Sequence, residues 1–244
     1  MGSKGMSEDS VHDDETFMAR RNEARERIDA LTGAKGGDAE DRQAWFEEVY
    51  SHANGDAAAI PWADLAPKAA LVEWLEKNPG EGRSALDIAC GLGDNAEAIA
   101  AAGYKTTAFD LSTAAVEWAK RRFSETAVDY QAGDLFNLPE DWRGRFDLVH
   151  ESYTVQALHG ELREASITAI ADLVAPGGKL VFLNRTREEG TLADGPPWPV
   201  MPSEWRRFEE HGFVLHTESY FQIERPGRSI PHVLAVYRRP EVSG

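Results

Sequence analysis

Three aspartates and one glycine-rich turn are the residues of this 244-residue chain best suited to chemistry. Asp87, Asp110 and Asp134 each end or follow a short apolar run, and Gly91-x-Gly93-x-x-Ala96 follows the first of them. A turn of this kind takes a buried strand sharply into a helix. Gly91 and Gly93 let the backbone adopt positive φ and let a ligand approach closely. The spelling also satisfies the relaxed dinucleotide fingerprint, so the turn by itself leaves an NAD-type ligand open. The acids narrow the choice. Asp87 stands four residues before Gly91, where a carboxylate suits a cationic group such as an α-amino group and not a pyrophosphate. Asp110 closes the run TTAFD, where an acid can accept hydrogen bonds from both ribose hydroxyls. Asp134 can hold the exocyclic amine of adenine, with Leu135 packed on the ring. Three acids at three successive strand ends would share the carboxyl edge of one sheet.

A second group of reactive side chains lies further on. His150, Tyr153 and His159 are close enough in sequence to supply a base, and Glu151 and Arg163 stand among them. Trp45, Trp62 and Trp198 fall in loops or near the start of the regular pattern, where an indole can stack on a flat ligand or a sulfonium at ~0.5–2 kcal/mol. Trp118 and Trp142 read as packing residues. The single cysteine, Cys90, cannot form an internal disulfide, and no metal-ligand spacing is present.

The elements that must hold these residues alternate. Strands are predicted at Ser84–Ala89, Lys105–Asp110, Val128–Ala132, Phe146–His150 and Lys179–Asn184. Helices are predicted at Asn95–Ala102, Thr113–Phe123, Leu162–Val174 and Ser203–His211. Strands separated by helix-length segments imply crossovers and a parallel sheet covered on both faces. Val214–Ile223 and His232–Arg238 lack a helix between them and must pair as an antiparallel hairpin. Upstream, helices are expected at Thr16–Leu31, Arg42–Ser51 and Pro67–Lys77. Residues 1–41 read as an acidic, flexible extension with a possible lid helix and a linker at Thr32–Asp41, and residues 42–244 as the functional domain.

Bulk composition sets the exclusions. A net charge of −16 argues against nucleic-acid partners and anionic membranes, both of which call for clustered Lys and Arg. The absence of a signal-like or spanning apolar run, with one cysteine, points to a cytoplasmic protein. A monomer or weak homodimer is expected.

Taken in series, ALDIACGLGDNA, TTAFDLS, AGDLF, the Ala175–Lys179 turn and the terminal hairpin resemble the successive motifs of class I S-adenosylmethionine (SAM)-dependent methyltransferases. The resemblance implies an α/β, three-layer, Rossmann-like fold with a seven-stranded, mostly parallel sheet. It also implies SAM as cofactor, S-adenosylhomocysteine as product and a small-molecule methyl acceptor. The cofactor-facing set it implies is Trp45, Trp62, Asp87, Ala89, Gly91, Gly93, Asn95, Asp110, Leu111, Asp134, Leu135 and Glu151. Ala89 departs from the glycine common at that place. A finer likeness is to thiopurine and thiol methyltransferases, through Trp45, Tyr50 and Pro61-Trp62, the stretch Leu138–Val149, the stretch His150–Leu158, and Arg163. His150 and Ser152 depart from that pattern. On this likeness the acceptor is a sulfur, Arg163 favours its thiolate, and Glu151 sits beside the reacting methyl. N- or O-methylation of a small aromatic or amine, with His150 or Tyr153 as base, is the alternative.

Overall fold

The computed structural model describes residues 15–29, 39–225 and 227–241. Residues 1–14 and most of the expected linker therefore lie outside the described residues.

Seven strands form one sheet: β1 (Ser84–Ile88), β2 (Lys105–Asp110), β3 (Asp129–Ala132), β4 (Phe146–Ser152), β5 (Val174–Arg185), β6 (Val214–Arg225) and β7 (Arg228–Arg238). Their order is β3-β2-β1-β4-β5-β7-β6, with only β7 antiparallel to its neighbours. The order reverses between β1 and β4, so the edge above β1 is a topological switch point, where ligands bind in open α/β sheets.

The helices are α1 (Glu15–Asp29), α2 (Ala39–His52), α3 (Ala69–Glu76), α4 (Asp94–Ala101), α5 (Thr113–Arg122), α6 (Gly160–Leu173) and the short α7 (Pro202–Trp205). Period-two alternation divides the sheet's side chains between two cores. Leu86, Ile88, Val149 and Phe182 face Ile167 and Ile170 of α6 and Trp205 of α7. Ala85, Leu148, Val181 and Val236 face Leu71 of α3 and Ile99 of α4 on the opposite side. Each fully buried Leu, Ile or Phe contributes roughly 1.5–3 kcal/mol, so both layers are needed to hold the sheet. The predicted helix at Ser203–His211 is only partly realised, since Arg206–His211 winds as a 3-10 turn that ends at Gly212 with φ 81°.

Two departures matter for function. Strand β4 runs on to Ser152, two residues beyond the prediction, because Glu151 still pairs with Phe182 and Ser152 with Leu183 of β5. The β6–β7 hairpin is longer than its apolar cores, with pairing that continues to Arg225 opposite Arg228. Its tip therefore reaches the same edge of the sheet as the glycine-rich turn. Among the described residues no helix is long and apolar enough to cross a membrane.

Candidate active site

A cavity of about 1050 Å³ opens above the ends of β1, β2 and β4. That is at the upper end of the range for small-molecule sites, with room for a nucleoside cofactor and a second small molecule.

The half of the cavity over β1 and β2 is built by the turn between β1 and α4. Ala89 (φ 51°), Gly91 (φ 53°) and Gly93 (φ 92°) all take left-handed backbone, which folds the loop tightly under the cavity floor. Gly93 is not interchangeable with alanine, because a Cβ there would collide with the Tyr130 hydroxyl. Ala89 and Gly91 line the cavity, whereas Gly93 supports it from beneath. Asn95 also lines it, and its side-chain oxygen accepts from the Lys68 backbone N–H at 2.9 Å.

Asp110 is the best-placed carboxylate. It lines the cavity and accepts the Gly91 N–H at 2.9 Å on one oxygen and the Ser112 N–H at 3.0 Å on the other. Each oxygen keeps a further lone pair for a ligand hydroxyl. Burial raises its pKa to about 6, while the two backbone donors pull it back down. Leu111, Asp134, Leu135 and Phe136 continue the wall toward β3. Asp134 accepts from the Phe136 N–H and has Arg42 at 3.9 Å. Trp45 and Tyr50 both pack against Trp62 in an aromatic wall, the first tilted and the second edge-on, with the Trp62 indole N–H donating to the Tyr50 hydroxyl at 2.8 Å. The free lone pairs on Asp110, the tight glycine floor and the cavity volume together fit an adenosine-bearing cofactor such as SAM.

Besides Gly93 and Trp198, four expected residues stand off the cavity wall. Asp87 does not line the cavity. Its side chain points to the α4 side of the sheet, where it meets His150 Nδ1 at 2.6 Å, the two residues being register partners on β1 and β4. That pairing takes His150 out of the cavity as well, and both side chains are buried. Glu151 points to the other face and is fully buried. It accepts from the backbone N–H groups of Thr154 (2.6 Å) and Val155 (3.0 Å) and from the Asn184 amide (2.6 Å). Burial raises its pKa to about 7, against the pull of these donors.

Arg163 is the fourth. Its guanidinium is buried and satisfied by the Leu158 carbonyl (2.9 Å), the Trp198 carbonyl (2.6 Å) and Glu204 (2.5 Å). It ties α6 to α7 and clamps the loop whose Pro196 and Pro197 line the cavity. Its ion-pair partner Glu204 comes close only in the fold. Replacing Arg163 with Met takes from Glu204 its close partner, leaving it Arg187 at 3.8 Å, and strips the Leu158 and Trp198 carbonyls of their donor, at a cost of about 2–3 kcal/mol. The expected result is a melting temperature lower by roughly 5–10 °C with S-adenosylhomocysteine affinity unchanged, as read by thermal denaturation and calorimetric titration.

Of the three residues expected to supply a base, Tyr153 and His159 reach the cavity; Tyr153 has a basic partner. Its φ of 70° is unusual for a residue with a Cβ. The three hydrogen bonds to Glu151 immediately around it, with its own N–H on the Leu183 carbonyl, hold it there. Its hydroxyl lies 2.7 Å from His232 Nε2. His232 Nδ1 lies 2.8 Å from the Ile230 carbonyl, which can only accept, so Nδ1 carries the proton and Nε2 presents its lone pair to Tyr153. Burial, and then the charges of Arg185, Lys68 and Arg225, lower the His232 pKa to about 4. His232, Lys68 and Arg185 were not found from the sequence. Each belongs to a different element, and no local spacing links them. Among the described residues no group of three or more His, Cys, Asp or Glu is placed to hold a metal.

Helix α1 completes the enclosure. Phe17, Arg21 and Ala24 are buried, Arg21 bonds the Ala63 carbonyl and Asp64, and Met18 and Asn22 face the cavity.

Known proteins sharpen this picture. Residues 85–178 match the family defined as the methyltransferase domain. The chain is 33% identical over 114 residues to the ubiquinone biosynthesis O-methyltransferase of Aromatoleum aromaticum, covering 46% of this chain and 48% of that protein. It is 32% identical over 141 residues to the cypemycin N-terminal methyltransferase of a Streptomyces species, covering 57% and 56%. The chain thus spans about half the length of these curated relatives. Magnesium protoporphyrin IX methyltransferase from Synechocystis PCC 6803, solved with SAM bound, superposes with a TM-score of 0.56 at 16% identity, over 98% of this chain and 100% of that one. Residues 85–178 thus resemble a methyltransferase domain, and the chain shares the fold of that solved methyltransferase.

Proposed function

We propose that this protein transfers a methyl group from SAM to a small-molecule acceptor. The acceptor atom enters carrying its proton, with an oxygen as the first choice. The observation that carries this reading is the Tyr153–His232 pair, a hydroxyl and a neutral imidazole 2.7 Å apart on the wall of the same cavity that Asp110 enters. SAM supplies an electrophilic methyl carbon on a sulfonium. The chain's own task is to position an acceptor in line with that carbon and to receive the acceptor's proton. The Tyr153 oxygen takes that proton as its own hydrogen passes to His232 Nε2, and Nδ1–H stays on the Ile230 carbonyl throughout. Asp110 would hold the ribose, Asp134 and Leu135 the adenine, and the Trp45–Trp62 wall the sulfonium side. Helix α1 would act as the lid that excludes water. The O-methyltransferase named among the relatives agrees with an oxygen acceptor.

A sulfur acceptor is the second reading, supported by the Trp45–Tyr50–Trp62 wall that resembles the thiopurine enzymes. Arg163, which was to favour the thiolate, does not line the cavity. A thiol of pKa about 8.5 is already partly ionised and needs no base. Tyr153→Phe separates the two readings. For a hydroxyl acceptor, kcat is expected to fall about 100-fold with S-adenosylhomocysteine affinity unchanged, measured by steady-state product formation and calorimetry. An unchanged kcat with a thiol and no turnover of hydroxyl compounds would favour sulfur.

A further inference from the structure

The acceptor half of the cavity carries a charge pattern that methyl transfer does not require. Arg185 at the end of β5 and Arg225 and Arg228 at the tip of the β6–β7 hairpin line it, in a chain whose net charge is −16. The nearest acid on the opposite wall, Asp64, is occupied by Arg21 and Lys68. Arg185 has no salt bridge among the described residues, and its Nε is buried without a hydrogen-bond partner. A guanidinium nitrogen withdrawn from water and left without an acceptor is costly, unless a ligand supplies one. Burial, with Arg228 and Arg225 beside it, lowers the Arg185 pKa against the opposing pull of Tyr153 and Asp64. Ile223, Ile230, Leu158 and Leu162 make the surrounding wall apolar, so the deficit is local.

We propose that the methyl acceptor bears an oxyanion, a carboxylate or a phosphate, and that Arg185, assisted by Arg225 and Arg228, binds it; this rests on the methyl-transfer reading above. The planar fork of Arg185 suits two oxygens of one anion. Its Cζ lies 5.8 Å from the centre of the Tyr153 ring. An acceptor anchored at Arg185 therefore needs only one ring between its anion and the nucleophile that faces Tyr153. The bound anion would also offset the cations that hold His232 unprotonated, so the proton acceptor is strengthened when the substrate is in place.

The test uses the full chain saturated with S-adenosylhomocysteine and titrated calorimetrically with 4-hydroxybenzoate, 4-hydroxyphenyl phosphate and the neutral 4-hydroxybenzamide. At least one anion is expected to bind about tenfold or more tightly than the amide, and the better of the two identifies the oxyanion. Arg185→Gln should abolish the preference and Arg185→Lys should keep part of it, both with S-adenosylhomocysteine affinity unchanged, which also reports that they fold. Equal binding of anions and amide, no anion binding, a preference that survives Arg185→Gln, or an anion that competes with S-adenosylhomocysteine would each overturn the assignment. The last outcome would mean that the cations serve the cofactor's own carboxylate. Failure of S-adenosylhomocysteine itself to bind would strike the methyl-transfer reading instead, and is seen before any anion is added.

Discussion

Replacing Asp110 with Ala is expected to weaken S-adenosylhomocysteine binding about 100-fold or more. Two ribose hydroxyls would donate to this carboxylate, and a hydrogen bond to a charged group is worth about 1.5–3 kcal/mol, so losing both removes about 3 kcal/mol or more. The variant also frees the Gly91 and Ser112 N–H groups, which loosens the loop that carries the glycines. The same residue sets a pH dependence. The ionised form accepts both hydroxyls, and burial has raised its pKa to about 6. Affinity should therefore fall as the pH drops through about 6, and Asp110→Asn should bind more weakly and lose that dependence. Calorimetric titration at pH 5.5 and 7.5 on both proteins checks this. A wild-type affinity that is flat over the interval would remove Asp110 from the ribose.

Glu151→Ala should be among the most destabilising single changes in the chain. It leaves two backbone N–H groups and the Asn184 amide buried without their acceptor, each costing about 1–3 kcal/mol, so about 4 kcal/mol in all. That is a large part of the roughly 5–15 kcal/mol a domain has to lose. The expected fall in melting temperature is roughly 8–16 °C. Glu151→Gln keeps the shape but sets an amide nitrogen against the Asn184 donor, and should lose a smaller part. Because burial raises the carboxyl to about 7 from its ordinary 4.5, the folded chain holds its proton more tightly than the unfolded one. Its contribution is fully present below pH 4.5 and is lost as the pH rises through about 7; Glu151→Gln should remove that slope. A residue at the reacting centre would behave in the opposite way, with turnover lost and melting unchanged in Glu151→Gln. Glu151 is a positioning residue that holds Tyr153 in its strained backbone.

Local signals carried the fold well. The strand–turn–helix units and the helix-free spacing before β7 each depend on residues adjacent in sequence, and the sheet formed accordingly, down to the reversed last strand. The half of the cavity over β1 and β2 was legible for the same reason. Asp110 ends β2 and Asp134 follows β3, strands that alternate with helices, so their places on the sheet edge followed from topology. Asp87 misled because strand alternation decides the face of the sheet. One residue further along, its carboxylate would have pointed to the other side. Arg163 and Glu151 misled for a different reason. Their partners, Glu204 and Asn184, lie 41 and 33 residues away and close in only when α7 and β5 pack. The acceptor side was hidden for that same reason, since His232, Arg185 and Lys68 meet around Tyr153 from three separate elements.

The cavity above β1 and β2 is expected to take SAM and not a dinucleotide. Calorimetric titration of the full chain with S-adenosylhomocysteine and, separately, with NADH tests it most directly. One S-adenosylhomocysteine per chain, displaced by SAM and lost in Asp110→Ala, with no heat from NADH, is the predicted result. Binding of NADH with no response to S-adenosylhomocysteine would contradict it.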